Sequence, residues 1–134
     1  IKGKKIDSKI KLKITKYKAS SGEEYFLEFV NKDNILFGLC RFRLVNGVAF
    51  IRELHVYGQA LEIGEKAKDF GQHRGLGKQL MKEAEDYIRH LNNNDENYNK
   101  SIDSIAVISG VGVRDYYKKM GYDLRGSYMV KKVK

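Results

Sequence analysis

A mixed α/β fold, with a mostly antiparallel sheet flanked by helices, is what this 134-residue sequence predicts. Three observations point to it. Four segments of strand character come first, and a long amphipathic segment of helical period follows them. A continuous apolar run, Ile105-Ala106-Val107-Ile108, then precedes a second short helical segment. Strands first, then a strand–helix–strand–helix unit, is the pattern of one sheet with a crossover helix.

Residues 9–18 alternate, with Ile10, Leu12 and Ile14 on one side and Lys11, Lys13 and Thr15 on the other, as in a half-buried strand. Residues 25–30 and 35–44 read as the second and third strands, joined as a hairpin through Asn31-Lys32-Asp33-Asn34. Asn46-Gly47 is the strongest hairpin signal, and it leads into a fourth strand over residues 48–57. Residues 58–71 have no clear period and read as a loop. A helix from Gly75 to Leu91 repeats Leu80, Met81, Ala84, Tyr87, Ile88 and Leu91 on one face, and stops at Asn92-Asn93-Asn94-Asp95. The polar run that continues through Lys100 reads as a solvated loop. Residues 102–109 form an apolar fifth strand whose unbroken run predicts burial on both faces. A short helix over 113–120 ends at Gly121, and strands at 122–125 and 128–133 flank Gly126-Ser127.

The length suits one domain over residues 1–134, with residues 1–20 as a basic strand or extension. No apolar run approaches the ~20 residues that span a bilayer, and no signal-peptide core is present. The lone cysteine, Cys40, cannot form an internal disulfide and reads as a small core residue, which points to a reducing, cytoplasmic setting. No Asp, Cys or His spacing suggests a metal site. A start at Ile1 without Met is expected of a fragment or a processed product. The net charge is +9, with lysines crowded into the first eighteen residues and again at Lys131, Lys132 and Lys134. Such clusters suit an anionic partner, RNA or coenzyme phosphates, and equally suit plain solubility.

Chemistry concentrates at Gln72-His73-Arg74-Gly75-Leu76-Gly77. A Gly-rich turn that opens a helix aims unpaired N–H groups and the positive end of the helix dipole at one point, which suits a pyrophosphate. Arg74 and Lys78 add charge at the rim. The dinucleotide fingerprint fails, because Gly77 is followed by Lys78, Gln79 and Leu80. The P-loop fails as well, with Gln72 at its first Gly and Gln79 at its hydroxyl position. The pattern Q-x-x-G-x-G resembles the coenzyme A loop of the GCN5-related N-acetyltransferase (GNAT) superfamily, which implies the GNAT fold.

Three more segments narrow the resemblance: Ile51-Arg52-Glu53-Leu54-His55-Val56-Tyr57-Gly58; the stretch Ile105-Ala106-Val107-Ile108-Ser109-Gly110-Val111-Gly112-Val113-Arg114-Asp115-Tyr116-Tyr117 running on to Gly121-Tyr122; and Gly126-Ser127-Tyr128-Met129-Val130-Lys131. Together they resemble the C-terminal acetyltransferase domain of the Elongator catalytic subunit, in an archaeal-like form, from about Tyr25 onward. The resemblance implies an acetyl-CoA-dependent acyltransferase domain of an enzyme that builds a carboxymethyl group on a wobble uridine of tRNA. It also implies a radical S-adenosylmethionine domain with an iron–sulfur cluster elsewhere, which one cysteine cannot supply here. Acetyl-CoA, tRNA and that domain are the implied partners, with no membrane. Two other readings stay open: a protein lysine acetyltransferase, and a non-catalytic coenzyme A sensor or RNA-docking module.

Coenzyme A would lie where strands four and five splay. Glu53, Leu54, His55 and Val56 would offer main-chain partners to its pantetheine arm, and one N–H would polarise the thioester carbonyl. Gln72, His73, Arg74, Gly75, Leu76, Gly77, Lys78 and Gln79 would hold the pyrophosphate. The ordinary pKa of a histidine, near neutrality, makes His55 a candidate general base, with a packed or hydrogen-bonded strand histidine as the preferred reading. Glu53 is a candidate base through a bridging water. Tyr117 stands four residues before Gly121, where the superfamily carries a tyrosine that protonates the leaving thiolate. It reads otherwise as core. Tyr116 projects about 100° away from it.

Overall fold

The computed structural model describes residues 9–19, 22–57, 75–94 and 101–133. The strands β1 (Lys11–Ala19), β2 (Gly22–Val30), β3 (Leu36–Val45) and β4 (Val48–Val56) form a meander. Helix α1 (Leu76–Asn92) crosses over to β5 (Ser104–Ile108). A 3₁₀ turn (Val111–Val113) runs into α2 (Arg114–Lys118), and β6 (Asp123–Arg125) and β7 (Tyr128–Lys132) close the fold. The sheet order is β1-β2-β3-β4-β5-β7-β6, and every neighbouring pair is antiparallel except β4 and β5.

Turn chemistry sets the meander's register. Asn46 and Gly47 both adopt positive φ (49° and 83°), the conformation of the two-residue turn whose twist matches the strands it joins. In the β2–β3 turn, buried Asn31 accepts the Asp33 and Ile35 N–H groups on its side-chain oxygen, both at 2.9 Å. Ala19 pairs with Gly22, so β2 begins earlier than the apolar run suggests.

One face of the sheet carries the core. Leu76, Leu80, Met81, Ala84, Ile88 and Leu91 of α1 are buried against Tyr25, Leu27, Cys40, Phe42 and Ile51. The cross-strand partners Tyr25 and Phe42 stack with ring centroids 4.8 Å apart. Burying each such leucine or phenylalanine contributes about 1.5–3 kcal/mol. Gly38 lets α1 come close, since a Cβ there would stand 2.8 Å from Leu80 Cδ1. Asn92 locks the end of α1 to the approach of β5: it accepts the Ile102 N–H at 2.7 Å and donates to the Ile102 carbonyl at 2.8 Å.

Three expectations need correction. The helix expected over 113–120 is a single α-helical turn and a half behind a 3₁₀ turn. Burial on both faces of β5 holds for Ile105, Ala106 and Val107, but Ile108 is 68% exposed. Ile14 lies on the α1 side of β1 yet is 37% exposed, because β1 is an edge strand that α1 does not reach across. The loops expected at 58–71 and 95–100 lie outside the described residues.

Candidate functional site

A register shift in β4 creates the site. Arg41 pairs with Glu53 but the next residue, Phe42, pairs with Ile51, so Arg52 is an extra residue bulged out of the ladder. A bulge bends its strand and increases the local twist. The parallel pairing of β4 with β5 ends at this point, with Ile51 opposite Val107. Beyond it, the main chain of residues 52–56 has no ladder partner on its β5 side among the described residues. The β4–β5 ladder therefore ends just before residues 53–56.

Three elements meet at the mouth of this opening. Gly75, at φ 76°, turns the chain into α1, and no side chain caps the helix there. Gln79 N–H is the first to find a helical carbonyl, that of Gly75 at 3.1 Å. The N–H groups of Leu76, Gly77 and Lys78 lack an intrahelical acceptor by helix geometry. Among the described residues a Cβ on Gly75 would meet nothing within 4 Å. A Cβ on Gly77 would stand 2.8 Å from the Tyr116 hydroxyl and 3.8 Å from Val56 Cγ2. The end of β4, the first turn of α1 and the phenol of Tyr116 thus converge. Lys78 and Gln79 are exposed beside them, while Gln72, His73 and Arg74 lie outside the described residues.

The two tyrosines divide between site and core. Tyr116 lies over Gly77 and is half-buried. Tyr117 is 7% exposed, its ring edge-on to both Tyr116 and Tyr122. Burial, then Tyr116 and Cys40, push the Tyr117 phenol up to about 12. Burial alone pushes the Cys40 thiol up to about 12 and raises Tyr116. In both Tyr117 and Cys40 the folded state favours the protonated form. Their contribution to stability is complete below about pH 9 and fades as pH rises toward 12. Urea midpoints should therefore fall across that window, by more than about 1 kcal/mol in stability. A Cys40→Val, Tyr117→Phe double variant should lose much of that slope, and an unchanged slope would refute the assignment.

Behind α2 lies a polar cluster that the sequence reading missed. The Tyr122 hydroxyl donates to Glu85 Oε2 at 2.7 Å, and Lys131 Nζ donates to Glu85 Oε1 at 3.2 Å and to the Met120 carbonyl at 2.9 Å. Burial and the Glu85 carboxylate both push the Tyr122 phenol upward. The signal was present: Glu85 falls among Met81, Ala84 and Ile88 on the apolar face of α1, where a carboxylate needs partners.

Glu53 and His55 project to the opposite face of the sheet, alternating with Leu54 and Val56. Glu53 sits 3.4 Å from Arg41 Nε, and Arg41 and Arg43 both reach Glu24. His55 is exposed and stacks on Tyr57 with centroids 5.2 Å apart. At the start of the turn after β5, Ser109 Oγ is buried without a hydrogen-bond partner, as is Arg114 Nε, so Arg114 is less solvated than expected. Orphaned buried polar atoms are rare, and Ser109 stands directly after the end of β5.

The sequence profile of the Acetyltransferase (GNAT) family matches residues 6–122. The chain belongs to that family. Within the GNAT family it is 42% identical over 127 residues to the tRNA uridine(34) acetyltransferase of Dehalococcoides mccartyi, covering 86% of this chain and 26% of the relative. It is 43% identical over 126 residues to Elongator complex protein 3 of Bos taurus, covering 86% and 22%. The structure of an Elp3 from the archaeon Methanocaldococcus infernus superposes with a TM-score of 0.66 at 37% identity, over 92% of this chain and 30% of that one. The chain thus spans about a quarter of the length of these relatives, and it corresponds to their acetyltransferase region.

Proposed function

We propose that this chain binds acetyl-CoA and serves as the acyltransferase domain of an Elongator-type enzyme that modifies a wobble uridine of tRNA, alongside a radical S-adenosylmethionine domain outside this chain. The observation that carries the reading is the convergence of the unpaired β4 edge, the uncapped start of α1 and the Tyr116 phenol on one opening. The residues present fit coenzyme A: a turn at Gly75 where a Cβ would strike none of the described residues, β4 main chain with no β5 partner among them, and a buried Ser109 hydroxyl without a hydrogen-bond partner. When bound, acetyl-CoA supplies an activated acyl thioester.

Each residue then has a task. The N–H groups of Leu76, Gly77 and Lys78, with the preceding Gln72, His73 and Arg74, hold the pyrophosphate, and Lys78 and Gln79 line its rim. The main chain of Glu53, Leu54, His55 and Val56 holds the pantetheine arm, and one N–H there stabilises negative charge on the acyl oxygen. Tyr117 holds the proton for the leaving sulfur. Glu53 and His55 lie on the acceptor side, where either can take a proton through water.

That same face carries exposed Lys11 and Lys13 of β1. Three strand spacings of ~4.8 Å separate β1 from β4. An anionic strand crossing the sheet would therefore meet lysines and the acceptor side of the opening together. Calorimetric titration of acetyl-CoA into the chain, with free thiol followed in the same samples, tests the reading. Micromolar binding with slow thiol release, quickened by tRNA at low salt and less so at high salt, is the expected result. Binding without release, with or without tRNA, would favour the sensor. Absence of binding would overturn the proposal.

A further inference from the structure

We propose that Glu85, Tyr122 and Lys131 form a clamp that positions α2 against α1, and so sets the tyrosines of the proposed thioester site. This rests on the reading of the α1–α2 corner given above. Helix α2 has five residues, too few to hold its own conformation in water. Its leading edge offers little anchorage, because Val111, Gly112, Val113 and Asp115 are all exposed. Its trailing end is held differently. One carboxylate on α1 divides its oxygens between the Tyr122 hydroxyl and the ammonium of Lys131. That ammonium also caps the Met120 carbonyl just past the end of α2. The lysine stem packs beside Gly121, where a Cβ would stand 3.4 Å from Lys131 Cε, and Nζ lies 5.5 Å from the centre of the Tyr122 ring. Gly121, at φ 96°, permits the sharp reversal that brings Tyr122 back to Glu85.

Besides the burial of Tyr117 in the core, the segment from α2 to Tyr122 meets α1 through two tyrosine hydroxyls. That of Tyr116 meets Gly77, and that of Tyr122 meets Glu85. Eight residues separate Gly77 from Glu85, about 12 Å along the helix. These contacts, at separate heights on α1, add a defined direction to the anchorage that buried Tyr117 gives α2. A carboxylate–ammonium pair largely withdrawn from water is a poor device for stability alone, because apolar residues of similar volume often serve as well or better. What it adds here is a defined distance and direction. Glu85 is thus a positioning residue, with no contact to the opening itself.

The test replaces the clamp by apolar residues in the full 134-residue chain, as Glu85→Leu, Tyr122→Phe and Lys131→Met together. The variant should keep its fold and at least its wild-type melting temperature. The Gly77 amide resonance should shift in the ligand-free protein. At saturating acetyl-CoA, thiol release should fall about 10- to 100-fold, the effect of a misplacement near 1 Å, while KM moves by less than about threefold. If the triple variant does not fold, Tyr122→Phe alone removes the 2.7 Å bond and should give the same signature more weakly. A wild-type Gly77 resonance in a folded variant overturns the clamp whether or not acetyl-CoA binds. Failure of wild-type protein to bind acetyl-CoA overturns the functional reading instead, and leaves the resonance test of the clamp standing.

Discussion

Gly75→Glu should weaken acetyl-CoA binding by more than about 100-fold while the folded chain survives. Gly75 occupies the left-handed region at φ 76°, where a side chain costs about 1–2 kcal/mol. Against that, a carboxylate beside the start of α1 interacts favourably with the helix dipole by about 0.3–1 kcal/mol. Stability should therefore drop only slightly, since the new Cβ finds no atom of the described residues within 4 Å. The proposed place of the pyrophosphate is beside this same turn. A carboxylate about 4 Å from a phosphate charge repels it by about 1 kcal/mol in water and about 4 kcal/mol at the effective dielectric of a protein surface. Each 1.4 kcal/mol is a factor of ten in affinity. Gly75→Lys carries the same backbone strain with the opposite charge and separates the two causes. Wild-type affinity in Gly75→Glu would show that the phosphates do not occupy this turn.

Much of the sheet is legible in the residues because its signals are local. Alternation in β1, Asn46-Gly47 at the β3–β4 turn and the apolar face of α1 each depend on a short window. The features that make the site depend on long-range pairing. Nothing in Ile51-Arg52-Glu53 announces a bulge, since Arg52 is extra only relative to its partners on β3. The exposure of Ile108 follows from the same event. Once β4 has bent away at Arg52, the end of β5 has lost a neighbour, and an apolar run that reads as fully buried finishes in solvent.

The tyrosine pair shows the same limit. A 100° step between Tyr116 and Tyr117 says that they diverge, but not which one faces the opening. The rotation of α2 is set by Glu85, eight residues beyond Gly77 on another helix. The spacing to Gly121 singles out Tyr117, and the structure places that ring mostly in the core while the Tyr116 hydroxyl stands over Gly77. The Gln72–Arg74 loop remains a reading of residues, and it lies outside the described region.

Replacing each tyrosine by phenylalanine separates their tasks. Tyr117→Phe should lower the rate of thiol release at saturating acetyl-CoA while leaving affinity unchanged, because a proton given only as sulfur departs stabilises the transition state and not the bound state. General acids contribute typically about 10²–10⁴-fold, and are most effective with a pKa near the working pH. The Tyr117 phenol, pushed up to about 12, holds its proton throughout the neutral range but yields it reluctantly. A thiol leaves as a far weaker base, with a pKa near that of free cysteine at about 8.5. The expected loss is therefore at the low end, about 10- to 100-fold, and the rate should show no titration from Tyr117 below pH 10. Tyr116→Phe, which removes the hydroxyl over Gly77, should act on KM and leave the saturated rate within about threefold. Should the effects be exchanged, with Tyr116 controlling the rate and Tyr117 nearly silent, the proton donor is the tyrosine at the opening and Tyr117 is core. Wild-type rates in both variants would exclude a phenol from the cleavage step and return the leaving thiolate's proton to water.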